Sequence, residues 1–577
     1  MACEVKEGSS NALKPIQLRI FTALSVLSGL AALFFTFAEK SEARNARFGG
    51  YSLSRWGLGL VTAVPVLFFL LILIRELRTD GAVTKRLNSF LSRGDRAWFG
   101  FLGCLFCLYL SLWAFKFSWL FIPKNLRPQI LWAGLIFLSA AVILYAAFRE
   151  SFRAGKLWEK YRIFPRLRDL SRKQRQTLIL LLVLGLIYIA VLMPSNINGT
   201  RDWADFRGYG GDEYVIYPIL QDVLTPGEDF SATLYHHYIH EDYHYGYPFY
   251  AVSSLFMYPI RLIIGPDFMQ RIDLTLPVLR TMVSVVPLML GCLILVFMAT
   301  RFENPWISGA VWLFLLTAPG SLQNNQGFWH PDGLNLFFVC AALYFLQRDR
   351  LRYGRNFFMS AFFVGLSAAT RLFGFFFFLA VGVYLLYGLL RKRIDLRQTA
   401  VKGLLFILIM AGTILWSDPF LFRSDARQNM TAILTEKTGE MSSGYNADFS
   451  DPKNDYRPGW DAWYPAFEDH FTKMFCFFFL IISLLAACFI GREQWTYRIL
   501  ALWWVVVAVY LIRFVAVKST QYVLPMMLPL MSCIFALPRA LRDLRDRRVR
   551  LGAWVLSAGI FTAQFILNLI RIAPRFK

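Results

Sequence analysis

Residues 357–390 read FFMSAFFVGLSAATRLFGFFFFLAVGVYLLYGLL. As a single α-helix this run would be about 50 Å long, since each residue advances the chain by about 1.5 Å. The hydrocarbon core of a bilayer is only about 30 Å thick. The run's one charge, Arg371, falls at its middle, and Gly374 follows. A guanidinium at bilayer centre is costly. The run is therefore expected to form a hairpin of two short helices. The turn lies between Thr370 and Gly374, carries Arg371 to one membrane face, and returns the chain to Arg391, Lys392 and Arg393 at the other.

The same arithmetic extends to the rest of the chain. Of its 577 residues, 56% are hydrophobic and 17% aromatic. Many apolar runs approach the roughly 20 residues a crossing needs. A transmembrane barrel would instead show alternating strands of about ten residues. The expected fold is an all-α polytopic membrane protein with about 15 transmembrane helices (13–15) and two long non-cytoplasmic loops. Spans are expected near 18–38, 57–75, 98–120, 129–148, 177–193, 279–299, 305–318, 333–346, the two halves of 357–390, 402–416, 473–490, 499–514, 522–538 and 551–570. The chain then divides into an N-terminal four-helix extension at 1–176, a membrane core at 177–540 with outer loops near 194–277 and 417–471, and a C-terminal helix within 541–577.

Charge orients these spans. Residues 149–175 hold ten Lys/Arg against three acidic residues, and 539–550 hold six Arg against two Asp. Short basic loops of this kind remain cytoplasmic. The loop 194–277, with eleven acidic residues against four Arg, then lies outside, as does 417–471 with ten against five. Within the first of these, Tyr247 to Ile264 is apolar enough to lie in the membrane interface rather than cross it. The net charge of +23 thus belongs to topology and to anionic lipid head groups, not to nucleic acid. Of the eight cysteines, Cys3 lies in the N-terminal tail and seven in apolar runs, which argues against a disulfide framework. Cys104 and Cys107 form a CxxC inside an apolar helix with no second pair, the pattern of core packing rather than of a metal site. The first apolar run, beginning near Leu18 after a mixed-charge tail, reads as an anchor rather than a cleavable signal.

Polar chemistry gathers on the outer side. Gly208 to Tyr217, GYGGDEYVIY, sets Asp212 and Glu213 behind a Gly-rich run just beyond a span. Adjacent carboxylates can divide roles, one accepting a hydroxyl proton while the other orients substrate or shifts its partner's pKa. A solvated turn would show the same two letters. All six histidines fall on this side. The stretch HHYIHEDYH, His236 to His244, interleaves four of them with Glu241 and Asp242. Its i, i+4 pairs through His240 would share one face of a helix and admit a divalent metal, although HExxH is absent and Pro248 argues against a regular helix. FWHPDGLN places His330 and Asp332 where the outer loop enters a span, and Asp332 also suits a helix cap. Arg371 and Lys518, the latter followed by Gln521 and Tyr522, supply cations at the outer mouth. Such a cation suits lipid phosphate in general. It equally suits a lipid-phosphate leaving group, whose oxygens gain charge during displacement. The outer-face residues Asp332, His240, Glu241, Asp242, Tyr247, Gln521 and Tyr522 are expected to bind substrate.

Five marks follow one another in order: Asp212-Glu213, HEDYHYGYPFYAV, WHPDGLNLFFVCAALYFL, GLSAATRLFGFFFF and KSTQYVLPMMLPLM. In this order and topology, residues 177–540 resemble the GT-C superfamily of integral-membrane glycosyltransferases. The likeness is to the branch holding protein O-mannosyltransferases and the aminoarabinose transferase of lipid A. The resemblance implies a GT-C type fold and a polyprenyl-phosphate-linked sugar donor. It implies inverting transfer to a hydroxyl of a glycan, lipid or protein acceptor, on the non-cytoplasmic face of a bacterial inner membrane. It further implies Asp212 as base with Glu213 beside it, and Arg371, Lys518 and His330 facing the donor phosphate. Arg371 stands where many members carry Lys, and Gln521 where Arg is common. No cofactor and no metal ligand set are assigned. The rival reading is a multi-pass transporter or lipid flippase. That class places charges near the midplane and often shows repeats, whereas here the ionisable groups gather at one mouth.

Overall fold

A computed structural model describes residues 12–38, 51, 53–79, 81–91, 96–116, 127–148, 170–209, 211–239, 243–443, 458–491 and 493–576. The structure is 85% helical and contains no strand among these residues. Nine of the described helices are long and apolar enough to cross a membrane, or up to eleven if two bent pairs each count as one span. The molecule is an all-α, multi-pass membrane fold. Four of the expected spans fall outside this set. Arg96–Lys116 has only a short apolar stretch, Ala97–Tyr109. Asp332–Asp349 carries charges at both ends and is buried along nearly its whole length. Arg355–Thr370 and Phe377–Leu390 have 16 and 14 residues.

The chain forms two compact units, Met1–Pro165 and Arg166–Lys577. In the first, helices Pro15–Phe37, Leu53–Arg78 and Arg127–Phe148 pack around Gly29, where an added Cβ would lie 2.3 Å from Val66. Trp132 fastens this contact by donating its indole N–H to the Ser25 carbonyl at 3.0 Å. The buried Glu76 carboxylate accepts the Val83 and Thr84 N–H groups, both at 3.1 Å, and so caps the short helix Ala82–Leu91. Backbone donors at a helix start have no partner within the helix and favour such an anion.

In the second unit, Arg172–Ile197 starts from a capping box between Ser171 and Gln174. What reads as a polar loop after it is folded into four helices: Trp203–Tyr209, Asp212–Leu224, Phe230–Tyr238 and Tyr247–Ile264. Phe206, Tyr217, Leu220, Phe249, Tyr250 and Trp329 form their common core. The helix Tyr247–Ile264 buries Phe249, Tyr250 and Met257 but leaves Leu262 and Ile263 87% and 85% exposed. That is the division of faces expected of a helix lying along the membrane interface.

Residues 357–390 break where the charge demanded it. Helix Arg355–Thr370 stops, Arg371 is extended with φ −157°, and a 3₁₀ turn, Leu372–Phe376, leads into Phe377–Leu390. A Cβ added at Gly374 would lie 2.2 Å from the Ala368 nitrogen. The chain therefore doubles back onto the last turn of the helix it has just left. Two further apolar segments are bent. Pro305–Leu316 and Pro319–Asn325 meet at 64°, and Trp460–His470 and Met474–Phe489 at 99°. The C-terminal helix Arg547–Ile572 belongs to the second unit.

Candidate functional site

The acidic pair splits at the first turn of Asp212–Leu224. Gly211 precedes it with φ 45°, in the left-handed region that glycine enters without strain. Asp212 is exposed, and among the described residues it makes no side-chain hydrogen bond or ion pair. Glu213, one residue on, turns inward and is buried. Its two oxygens accept from the Arg280 guanidinium, Nε at 2.9 Å and Nη2 at 2.5 Å, and Oε1 also accepts the Trp329 N–H. Arg280 is buried as well, and its Nη1 donates to the carbonyls of Asn196 and Asn198 at 2.9 and 2.7 Å. Glu213 and Arg280 thus neutralise each other inside the fold and tie together three segments.

Arg280 lies on a π-helical turn, Arg280–Val285, within the span Ile272–Thr300. Such turns interrupt α-helices frequently at functional sites. Here the turn also presents Ser284, whose Oγ accepts the His330 N–H at 2.9 Å and donates to the His330 carbonyl at 3.1 Å. At Gly333 an added Cβ would lie 2.2 Å from the Ser284 carbonyl oxygen, so only glycine lets the start of Asp332–Asp349 approach.

His330 is the hub of a polar chain. It is buried, stacked on Phe328 at 4.7 Å, and its Nε2 lies 2.6 Å from the Tyr245 hydroxyl. Nδ1 faces both Asp332 and the Arg371 guanidinium, whose Nη1 lies 3.2 Å away and which also binds Asp332. At Nδ1 the Arg371 guanidinium can only donate and the Asp332 carboxylate only accept, so the tautomer sets which of them His330 bonds there and, with it, the direction of the bond to Tyr245 at Nε2. Burial lowers the His330 pKa below its ordinary 6.5, as does Arg371, while Asp332 opposes the shift. Burial also pushes the Tyr245 hydroxyl up, so it keeps its proton. Arg371 lies 5.2 Å over the Tyr522 ring and keeps 16% of its side chain exposed. Asp212 directly precedes Glu213, whose Oε1 accepts the Trp329 N–H one residue before His330. Asp212, Tyr245, His330, Asp332, Arg371 and Tyr522 therefore form one neighbourhood.

A stability effect follows from the neutral His330. Below pH 6.5 an unfolded chain binds a proton at this imidazole that the folded chain refuses. The contribution to folding is thus full above that pH and is lost as pH falls through the lowered folded value. Thermal unfolding of the purified protein should shift to lower temperature on acidification below pH 6.5. His330→Gln should flatten that slope; an unchanged slope would count against a neutral His330. His237, also pushed down by burial, contributes with the same sign and remains in the variant.

The other expected site residues lie as follows. Tyr247 is buried at the start of its helix, against His237 and Tyr238. Gln521 is half-buried beside Tyr522. Lys518 lies 5.8 Å over the Trp463 ring and donates to the Ala516 carbonyl at 2.8 Å. His240, Glu241 and Asp242, and with them the i, i+4 histidine spacing, lie outside the described residues. Among the described residues no three His, Cys, Asp or Glu side chains gather as metal ligands. Sequence reasoning missed Arg280, Tyr245 and Asp418. Arg280 alone carried a usable signal, as a lone charge at the entry of an apolar span. No protein-family model matches the chain, and no curated protein is similar to it.

Proposed function

We propose that the chain is a membrane-embedded glycosyltransferase of the GT-C kind. It moves a sugar from a polyprenyl-phosphate donor to a hydroxyl of a glycan, lipid or protein acceptor, with inversion. The observation that carries this reading is the meeting of an exposed carboxylate, Asp212, unpaired among the described residues, with the Tyr245–His330–Asp332–Arg371 chain. Displacement of a lipid phosphate needs a base for the incoming hydroxyl and a cation for the leaving oxygens. Asp212 takes the first role. Its neighbour Glu213 serves as a positioning residue through Arg280 and Trp329. Arg371 takes the second role, with Asp332 and Tyr522 fixing its orientation. His330 is buried and reaches the phosphate only through these neighbours. The apolar helices accommodate the prenyl chain, and the charge balance of the loops favours the non-cytoplasmic face, in a bacterium the periplasmic side of the inner membrane.

The deciding experiment incubates the protein in proteoliposomes with a polyprenyl-phosphate hexose labelled in the sugar. Release of the label from the lipid supports the reading. Movement of intact donor across the bilayer without release would establish a flippase instead. Arg371→Lys retains the charge but loses the planar fork shared between Asp332, Tyr522 and the phosphate. It should weaken polyprenyl-phosphate binding about tenfold in a nanodisc titration, about 1.4 kcal/mol. Unchanged affinity would remove Arg371 from the phosphate site.

A further inference from the structure

The second long loop begins at Asp418, directly after the helix Leu396–Ser417. This aspartate has no part in the chemistry proposed above, yet it is 1% exposed. Its Oδ1 accepts the Tyr247 N–H at 2.8 Å. Among the described residues no cation lies within ion-pairing distance of it. The strap it touches, Tyr245 to Tyr247, crosses the turn that carries Arg371. Gly246 donates its N–H to the Thr370 carbonyl at 3.3 Å. A Cβ added at Gly246 would lie 1.5 Å from the Ala369 carbonyl oxygen and 3.1 Å from Asp418 Oδ1. The strap is therefore wedged between Asp418 and the end of the Arg355–Thr370 helix, and its first residue places a hydroxyl on His330.

We infer that Asp418 is a positioning residue that pins the Tyr245–Tyr247 strap over the Arg371 turn, and that it does so as an uncharged hydrogen-bond acceptor. A buried carboxylate without a counter-charge would lose its hydration with little in return. A protonated carboxyl keeps one carbonyl-like oxygen for the Tyr247 N–H and is no more costly to bury than an amide. Burial raises the Asp418 carboxyl well above its ordinary value, with the Tyr247 amide opposing, in agreement with this geometry. The pin joins the two long loops at one site: the second loop supplies Asp418, the first supplies Tyr245, and between them lies the helix break that carries Arg371.

The inference predicts that charge at 418 is dispensable and the acceptor oxygen is not. Its effect on transfer rests on the glycosyltransferase reading; its effect on the strap does not. The full chain is placed in lipid nanodiscs as wild type, Asp418→Asn and Asp418→Ala. Hydrogen exchange is followed by mass spectrometry on peptides covering 243–250, and sugar release is measured from a polyprenyl-phosphate hexose. Asp418→Asn, whose amide oxygen takes the place of Oδ1, should match wild type in both. Asp418→Ala should exchange at the strap about tenfold faster, as expected for loss of one buried hydrogen bond, and transfer more slowly. Asp418→Ser, polar but too short to reach the Tyr247 N–H, provides the same comparison if the alanine variant does not fold. Wild-type exchange at the strap in both Asp418→Ala and Asp418→Ser would overturn the pin. An Asp418→Asn variant as damaged as Asp418→Ala would overturn its neutrality. A loosened strap in a protein that releases no sugar in any form would leave the pin standing and remove the glycosyltransferase reading.

Discussion

Arg280→Ala should cost about 3–5 kcal/mol of stability, the penalty for breaking a buried ion pair from one side. That is a large share of the roughly 5–15 kcal/mol that holds a typical folded domain together. The substitution strands Glu213, which is buried and would keep only the Trp329 N–H. It also removes the donor that satisfies the Asn196 and Asn198 carbonyls. The end of Arg172–Ile197, the start of Asp212–Leu224 and the approach to His330 would lose their common tie. Detergent-solubilised Arg280→Ala should therefore unfold far below wild type, or fail to purify as a single species. The double variant Arg280→Met with Glu213→Leu should recover much of the loss, because two apolar side chains of similar size leave no charge behind. A single variant as stable as wild type would show that Glu213 finds its compensation elsewhere.

The parts of this site legible in the sequence are those where one residue contradicts its surroundings. Arg371 in the middle of an apolar run required a break, and the helix stops at Thr370. Asp212, His330, Asp332, Arg371 and Tyr522 were separable as the polar residues of one face, because topology follows from loop charge. Their contacts were not legible, since those depend on which helices pack together. Glu213 and Arg280 lie 67 positions apart, and nothing local to either names the other. Tyr245 stood among several tyrosines in HEDYHYGYPFY, and Asp418 looked like the polar end of a span. The first long loop was harder still. Only its apolar stretch Tyr247 to Ile264 stood out; Trp203–Tyr209 and Phe230–Tyr238 are too short to show a period, and Pro218 interrupts that of Asp212–Leu224. Lys518 stood out in the sequence as a cation, but its place over the Trp463 ring did not, because that ring lies 55 positions away.

Asp212→Asn separates chemistry from architecture in the way Arg280→Ala does not. The Asp212 side chain is exposed and, among the described residues, bonded to nothing. Its loss removes at most the favourable placement of an anion at a helix N-terminus, about 0.3–1 kcal/mol. Unfolding temperature and lipid-phosphate affinity should therefore stay close to wild type. Sugar transfer should fall by about 10² to 10⁴, the usual contribution of a positioned general base. An asparagine still accepts a hydrogen bond from the acceptor hydroxyl but cannot take its proton as the bond from C1 to the phosphate oxygen breaks. The loss should thus appear in kcat, with KM for the acceptor little changed. Single-turnover transfer from a labelled polyprenyl-phosphate hexose, beside a thermal unfolding curve of the same preparation, reads both quantities. Full transfer in Asp212→Asn would take the base from Asp212, and Glu213 could not inherit the role while both its oxygens are held by Arg280.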